Sequence, residues 1–206
     1  SKGSPRDGNR GRRRRCLSRK SFRPCHHRTN SRRTRNPQTI NPRSKMPDFA
    51  LERSLDGIVT GIDEAGRGPW AGPVVAAAAV LDPATLPQSL QDRLDDSKKL
   101  SAKVRADLFD ALADCAQFGV GIASVTEIDT QNILAATMLA MRRAVSSLPV
   151  SPDHALVDGN RSPELPCPVQ TVVRGDGLSL SIAAASVVAK VTRDRIMAKL
   201  ALEHPG

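Results

Sequence analysis

Two short apolar runs that end in carboxylates constrain this chain more than any other feature. Gly57 to Ile62 (GIVTGI) leads directly into Asp63 and Glu64, and His154 to Val157 (HALV) leads into Asp158. Runs this short read as buried strands. A carboxylate at the end of one is poorly explained by packing, because Asp and Glu are seldom buried without a partner. In open α/β sheets, ligand and catalytic groups gather at strand ends. Taken singly, each acid is as well explained as a solvated strand-end group; the joint pattern points to a site.

The rest of the chain supplies the elements of such a sheet. Pro73 to Leu81 is a second apolar run, rich in Val and Ala, separated from the first by the turn-rich stretch Glu64 to Gly72. Ser101 offers an N-cap, after which Val104, Leu108, Leu112 and Cys115 follow at helical spacing. Phe118, Val120 and Ile122 alternate, which predicts a third strand with small residues on its other face. Thr126 and Asp129 form a capping-box-like start, and Leu134, Met138, Met141 and Val145 mark the apolar stripe of a long helix. Val169 to Val173 predicts another strand, and Ser179 to Glu203 a long helix with an Ala-rich first half. This alternation predicts an α/β domain with a mixed central sheet flanked by helices.

Charge divides the chain at Met46. Residues 1–45 hold 16 Lys and Arg against the single Asp7, a net +15, whereas the remainder carries 15 basic and 20 acidic residues, a net −5. The first segment is poor in aliphatic residues and cannot bury enough apolar area to offset its ordering entropy, so a disordered basic tail is expected over 1–45 and a domain over 46–206. Arg12 to Arg15 suits nucleic-acid binding or targeting. Alternatively the tail is upstream sequence translated from an early start, since Met46 stands where the composition turns globular. The domain is mildly acidic, so any grip on nucleic acid comes from a local patch or from metal ions rather than a basic face. The apolar stretches break well before a membrane-spanning length, and no apolar run follows the N-terminal arginines as in a secretory leader. No membrane association and a cytoplasmic location are expected. Cys16, Cys25, Cys115 and Cys167 include no C-x-x-C pair, and Cys16, Cys25, His26 and His27 fit no standard zinc finger, so free thiols are expected.

Clustered carboxylates repel and need a cation to coexist in charged form. Hard divalent ions with oxygen ligands suit them, and two such ions can activate water and stabilise the leaving oxygen in phosphodiester hydrolysis. No Ser-His-Asp arrangement competes: the domain holds only His154 and His204, neither in a nucleophile-activating context. Gly66, Gly68 and Gly72 are spaced one residue too long for a dinucleotide fingerprint and lead into a strand-like run. They read instead as a tight loop whose backbone approaches a substrate, with Arg67 able to meet a phosphate. Asp194, inside the last helix, is four residues from Lys190, and the two are equally able to pair on the helix surface.

Five segments, in order, resemble the ribonuclease HII family: Gly61 to Pro73 (GIDEAGRGPWAGP), Asp96 to Leu100 (DSKKL), Asp129 with Asn132 and Ile133, Leu156 to Asn160 (LVDGN), and Ile182 to Asp194 (IAAASVVAKVTRD). The resemblance covers about residues 57 to 206 and implies a ribonuclease H-like fold. It implies four metal ligands that are also the catalytic residues, Asp63, Glu64, Asp158 and Asp194, with Asp63 and Asp158 holding the central ion. The final Asp favours this family over the related ribonuclease HIII pattern, which ends in Glu. It also implies that Gly66, Arg67 and Gly68 recognise the 2′-hydroxyl at an RNA–DNA junction, the group that distinguishes RNA from DNA. Lys98, Asn132, Ser186 and Lys190 are implied phosphate contacts. Ser186, Lys190 and Asp194 share one helix face, expected to look toward the site. The implied cofactor is Mn2+ or Mg2+, and the implied substrates are RNA–DNA hybrids and duplex DNA with embedded ribonucleotides. Hydrolysis would leave 5′-phosphate and 3′-hydroxyl ends, and the roles implied are primer removal and ribonucleotide excision by a monomeric enzyme. Family members continue into a segment with a tyrosine that packs against the sugar. This sequence ends at Gly206 without a tyrosine, so a C-terminally short domain is expected. Arg174 and Leu178 stand where many relatives have lysine. Two rival readings are an inactive domain binding nucleic acid through its arginine-rich tail, and a resolvase-type nuclease on the same superfold.

Overall fold

A computed structural model describes residues 46–204; residues 1–45, where the basic tail is expected, lie outside the described residues. Strands β1 (Val59–Ala65), β2 (Val74–Val80), β3 (Gln117–Ala123), β4 (His154–Asp158) and β5 (Val169–Val172) form one sheet in the order β3-β2-β1-β4-β5. β1, β2 and β3 pair antiparallel, whereas β4 runs parallel to β1 and β5 parallel to β4. The helices are α1 (Gln88–Gln91), α2 (Ala102–Cys115), α3 (Val125–Gln131), α4 (Ile133–Ser146) and α5 (Leu180–Glu203).

β2 shows why the sheet is covered on both sides. Successive strand residues point to opposite faces. Ala77 and Ala79 enter a core with residues of α2 and α5, while Val74, Ala76 and Ala78 enter a second core with α4. A strand buried on both faces must be apolar throughout, as VVAAAAV is.

Two close approaches fix the helices. A Cβ added at Gly61 of β1 would lie 2.1 Å from the Ser181 carbonyl carbon, so α5 rests on bare strand backbone. At Gly119 and Gly121 of β3 it would lie 2.3 and 2.0 Å from the Ala144 and Ala140 carbonyl oxygens. These glycines are the small face expected opposite Phe118, Val120 and Ile122. They also correct the expected stripe of α4. Its buried residues are Ala136, Thr137, Ala140, Met141, Ala144 and Val145, whereas Leu134 is 36% exposed. Contact this close selects the face with the smallest residues, not the one with the largest.

The caps follow a similar logic. Ser101 caps α2 as expected, its side chain accepting from the Val104 amide. The capping box of α3 is Ser124 with Glu127, two residues before the expected Thr126 and Asp129, because β3 runs to Ala123 and only Ser124 separates strand from helix. Ser179 caps α5, and Glu52 accepts from the Ser179 hydroxyl (2.6 Å) and the Ser181 amide (2.9 Å), placing a carboxylate on the helix N-terminus.

Candidate active site

β1 and β4 are parallel neighbours with Ile62 opposite Val157, so Asp63 and Asp158 follow as the next residue on each strand. Ile62 and Val157 point into the α4 core. By alternation both acids point to the α5 side. β1 does not stop at Asp63, as the sequence suggested; pairing with β2 continues through Glu64 to Ala65, while pairing with β4 ends at Ile62. Asp63 thus sits one residue past the last β1–β4 pair, buried beside Asp158 at the end of β4.

A third carboxylate enters from beyond β5. Arg174 adopts a left-handed conformation (φ 58°) and turns the chain into a short 3-10 segment, Gly175–Gly177. The Gly175 amide donates to Asp158 Oδ1 at 2.6 Å, tying that segment to β4. A Cβ at Gly175 would lie 2.5 Å from Ile182 Cδ1, so a side chain there would push the turn away. Asp176 follows, and carboxylate oxygens of Asp63, Asp158 and Asp176 lie within 4.8 Å of one another.

The electrostatics show uncompensated negative charge. Burial, then Glu64 and Asp158, hold the Asp63 carboxyl well above its ordinary range, against the Glu64 amide that donates to it at 2.7 Å. Burial, Asp158 and Asp96 push Asp176 up to about 6, with Lys98 opposing. Glu64 leaves the strand in the other direction, yet burial and Asp158 still raise its carboxyl, against the Arg67 guanidinium that pairs with it at 3.1 Å. Burial lowers the Lys98 ammonium, but Asp96, Asp176, Asp63 and Asp158 outweigh it and the net shift is upward. Lys98 is therefore the cation facing the cluster. Three hard oxygen donors, two of them (Asp63 and Asp176) raised by burial and by their acidic neighbours, fit a divalent cation, whose charge offsets both effects.

Asp194 is not in this cluster. Its carboxylate takes a 2.6 Å bond from Lys190 and lies 3.6 Å from Arg105. Arg105 donates to the Ser97 and Leu100 carbonyls at 2.9 and 2.6 Å, and Ser186 Oγ accepts from the Ser97 amide at 3.3 Å. The helix face carrying Ser186, Lys190 and Asp194 looks onto the Asp96–Leu100 loop and fastens it, which holds Lys98 before the carboxylates. The helix surface pairing of Lys190 with Asp194, left open by their spacing, is the one the structure adopts.

The remaining candidates fall in two places. Asn132, at φ 76°, caps α4, its side-chain oxygen accepting from the Leu134 and Ala135 amides. Gly66 (φ 110°) begins the loop to β2, Arg67 reaches back to Glu64, and a Cβ at Gly68 would meet nothing. The sequence reading missed two residues. Asp176 had a usable signal: it is an acid shortly after an apolar strand, like Asp63 and Asp158, between two glycines. Arg193 had none, being a charge amid a helix. It is only 6% exposed, and donates to the Pro73 and Ala71 carbonyls at 3.0 and 2.9 Å, holding the far end of the glycine loop.

The family model for ribonuclease HII matches residues 60–206. The ribonuclease HII of Paramagnetospirillum magneticum is 65% identical over 160 residues, 78% of this chain and 80% of the relative. The crystal structure of ribonuclease H2 from Pyrococcus horikoshii OT3 matches with a TM-score of 0.63 at 32% identity, covering 71% of this chain and 76% of that one. Bst ribonuclease HIII, solved in complex with Mn2+, shares the fold at a TM-score of 0.62 and 20% identity, covering 71% of this chain and 55% of that one. The fold is therefore ribonuclease H-like, and the match runs from the first core strand past the last helix, with the whole carboxylate site inside it. On these grounds the chain belongs to the ribonuclease HII family and is a ribonuclease H endonuclease.

Proposed function

We propose that the chain hydrolyses the RNA strand of RNA–DNA hybrids and cuts on the 5′ side of ribonucleotides embedded in duplex DNA, leaving 5′-phosphate and 3′-hydroxyl ends. The observation that carries this reading is the approach of Asp63, Asp158 and Asp176 within 4.8 Å at the ends of neighbouring strands. With Glu64 beside them, these residues would hold two divalent ions, Mn2+ or Mg2+. Asp176 takes the place first given to Asp194, whose carboxylate is committed to Lys190 and Arg105. Ions bound there would lower the pKa of an attacking water and neutralise charge on the leaving oxygen.

The chain's own residues supply the rest. Lys98 offers an ammonium to a phosphate beside the cluster, held in place by Ser186 and Arg105 through the loop backbone. Arg67 has its guanidinium on Glu64 and half its side chain in solvent, within reach of a second phosphate. Gly66 and Gly68 leave the loop backbone unshielded, so a ribose 2′-hydroxyl has access to backbone groups there. Among the described residues no helix is long and apolar enough to cross a membrane. That the enzyme is monomeric and cytoplasmic is part of the proposal.

The test is cleavage of a DNA duplex carrying one ribonucleotide, with Mn2+ or Mg2+, beside Asp158→Asn. Metal-dependent cutting 5′ of the ribonucleotide, lost in the variant, is expected. A folded protein that binds the metal and leaves every ribonucleotide-containing duplex intact would overturn the reading. The alternative, a module that binds nucleic acid through residues 1–45, is not favoured, because the carboxylate cluster lies wholly in the domain; deleting those residues is expected to spare cleavage.

A further inference from the structure

The loop between β1 and β2 carries the most exposed large apolar side chain of the described residues. Trp70 is 105% exposed, as open as in an extended peptide. It is also the sole tryptophan in a chain with four phenylalanines and no tyrosine, so the largest ring is placed in solvent while the cores are filled with Ala, Val and Leu.

The loop that presents it is held on both sides. Before Trp70, Gly66 packs so closely that an added Cβ would lie 2.4 Å from Arg193 Nε. After it, Arg193 donates to the Ala71 and Pro73 carbonyls, and a Cβ at Gly72 would lie 2.3 Å from Met197 Sδ. Pro69 restricts the backbone immediately before the ring. A buried guanidinium spent on two loop carbonyls, with glycines at both contacts, fixes the backbone from which the indole projects. A loop held in advance loses little backbone entropy on contact.

Its position names the occupant. Trp70 lies five positions after Ala65, the last residue of β1, so its backbone is within about 18 Å of that strand end. Glu64 and Arg67 lie at that same end, and a duplex seated on them spans this distance, since its grooves alone are about 6–12 Å wide. The domain is net negative, so long-range attraction to phosphates contributes little. Aromatic contact with sugars and bases needs no charge and tolerates any sequence.

We propose that Trp70 is a substrate-contacting residue: its indole packs against the sugar and base surface in the wide, shallow minor groove of the hybrid, on a loop that Arg193 holds in register with the carboxylates. This rests on the proposed nuclease reading. Because Trp70 is the sole tryptophan, its emission reports the contact directly. The full chain is titrated in Ca2+ with a dye-labelled duplex carrying one ribonucleotide, following dye anisotropy and tryptophan emission together. Anisotropy and a blue-shifted, acrylamide-protected emission are expected to saturate at the same duplex concentration. Trp70→Ala is expected to weaken duplex binding about 5- to 100-fold, with KM rising by a larger factor than kcat falls, and Trp70→Phe to recover part of the loss. Binding by anisotropy with tryptophan emission and acrylamide quenching unchanged, or Trp70→Ala binding as tightly as the parent, overturns the contact and leaves the nuclease reading standing. Flat anisotropy at every duplex concentration overturns both.

Discussion

Asp176 and Asp194 are separated by their partners. Asp194 has two cations, whereas Asp176 has two neighbouring acids and one opposing lysine. Asp176→Asn is therefore expected to lower kcat/KM on a single-ribonucleotide duplex by at least about 100-fold. Asp194→Asn, which only loosens the hold on Arg105, is expected to cost no more than about 10-fold. Equal losses in the two variants would contradict this assignment. The raised carboxyl of Asp176 has a thermodynamic consequence as well. Its ordinary value is 3.8 and its folded value about 6, so the metal-free fold holds this proton more tightly than the unfolded chain. The resulting destabilisation is absent below about pH 4, grows between pH 4 and 6, and is complete above, at roughly 1–3 kcal/mol. Urea unfolding of the metal-free protein at pH 5 and pH 8 is expected to show lower stability at pH 8, with a smaller difference in Asp176→Asn. Asp63 and Asp158 were legible in the sequence because a strand end is marked by its own apolar run. Asp176 carried the weaker signal of an acid shortly after an apolar run, but its place depends on a left-handed turn at Arg174 and a Gly175 amide bond to another strand, neither of which leaves a periodic trace.

At the scale of elements, α5 is the organiser, and its pattern explains both what the sequence revealed and what it hid. Its first half is buried almost all round, so the Ala-rich stretch announced a core helix. Its second half carries charges whose roles periodicity does not encode: Ser186 and Asp194 fasten the Asp96–Leu100 loop, and Arg193 fastens the glycine loop. Helical spacing correctly grouped Ser186, Lys190 and Asp194 on one face, but spacing does not say what the face meets. Arg193→Ala removes a buried donor and leaves the Ala71 and Pro73 carbonyls to find water. It is expected to destabilise by about 2–4 kcal/mol, measured by urea unfolding, and to raise KM for the ribonucleotide duplex. Arg193→Lys, which keeps the charge but places its donors on a single nitrogen where Arg193 uses two, is expected to recover stability better than KM. On the other side of the sheet, Gly121→Ala would put a methyl 2.0 Å from the Ala140 carbonyl oxygen. It is expected to cost about 1–3 kcal/mol by forcing α4 off β3, without a comparable change in metal binding.

For the whole molecule, strand order converts a sequence separated by 113 residues into one site. Asp63 and Asp176 meet because β1 and β4 run parallel with adjacent ends and β5 delivers the next segment to the same end. The sheet is packed on both faces and brings three acids together at a cost in repulsion that the fold carries until a cation arrives. A divalent ion that binds the folded site and not the unfolded chain stabilises by about 2.7 kcal/mol at one hundred times its dissociation constant. Thermal melting at pH 7.5 is therefore expected to rise on adding Mn2+ or Mg2+. At pH 5 the rise is expected to be smaller at the same ion concentration, because Asp63 and Asp176, both raised, hold protons that compete with the ion. Asp63→Asn combined with Asp158→Asn is expected to abolish the metal-dependent rise while melting, without metal, at or above the parent's temperature, since the repulsion is gone. A rise that persists in that double variant, or that grows as the pH falls, would mean that the stabilising ion sits elsewhere and that these carboxylates serve some other end.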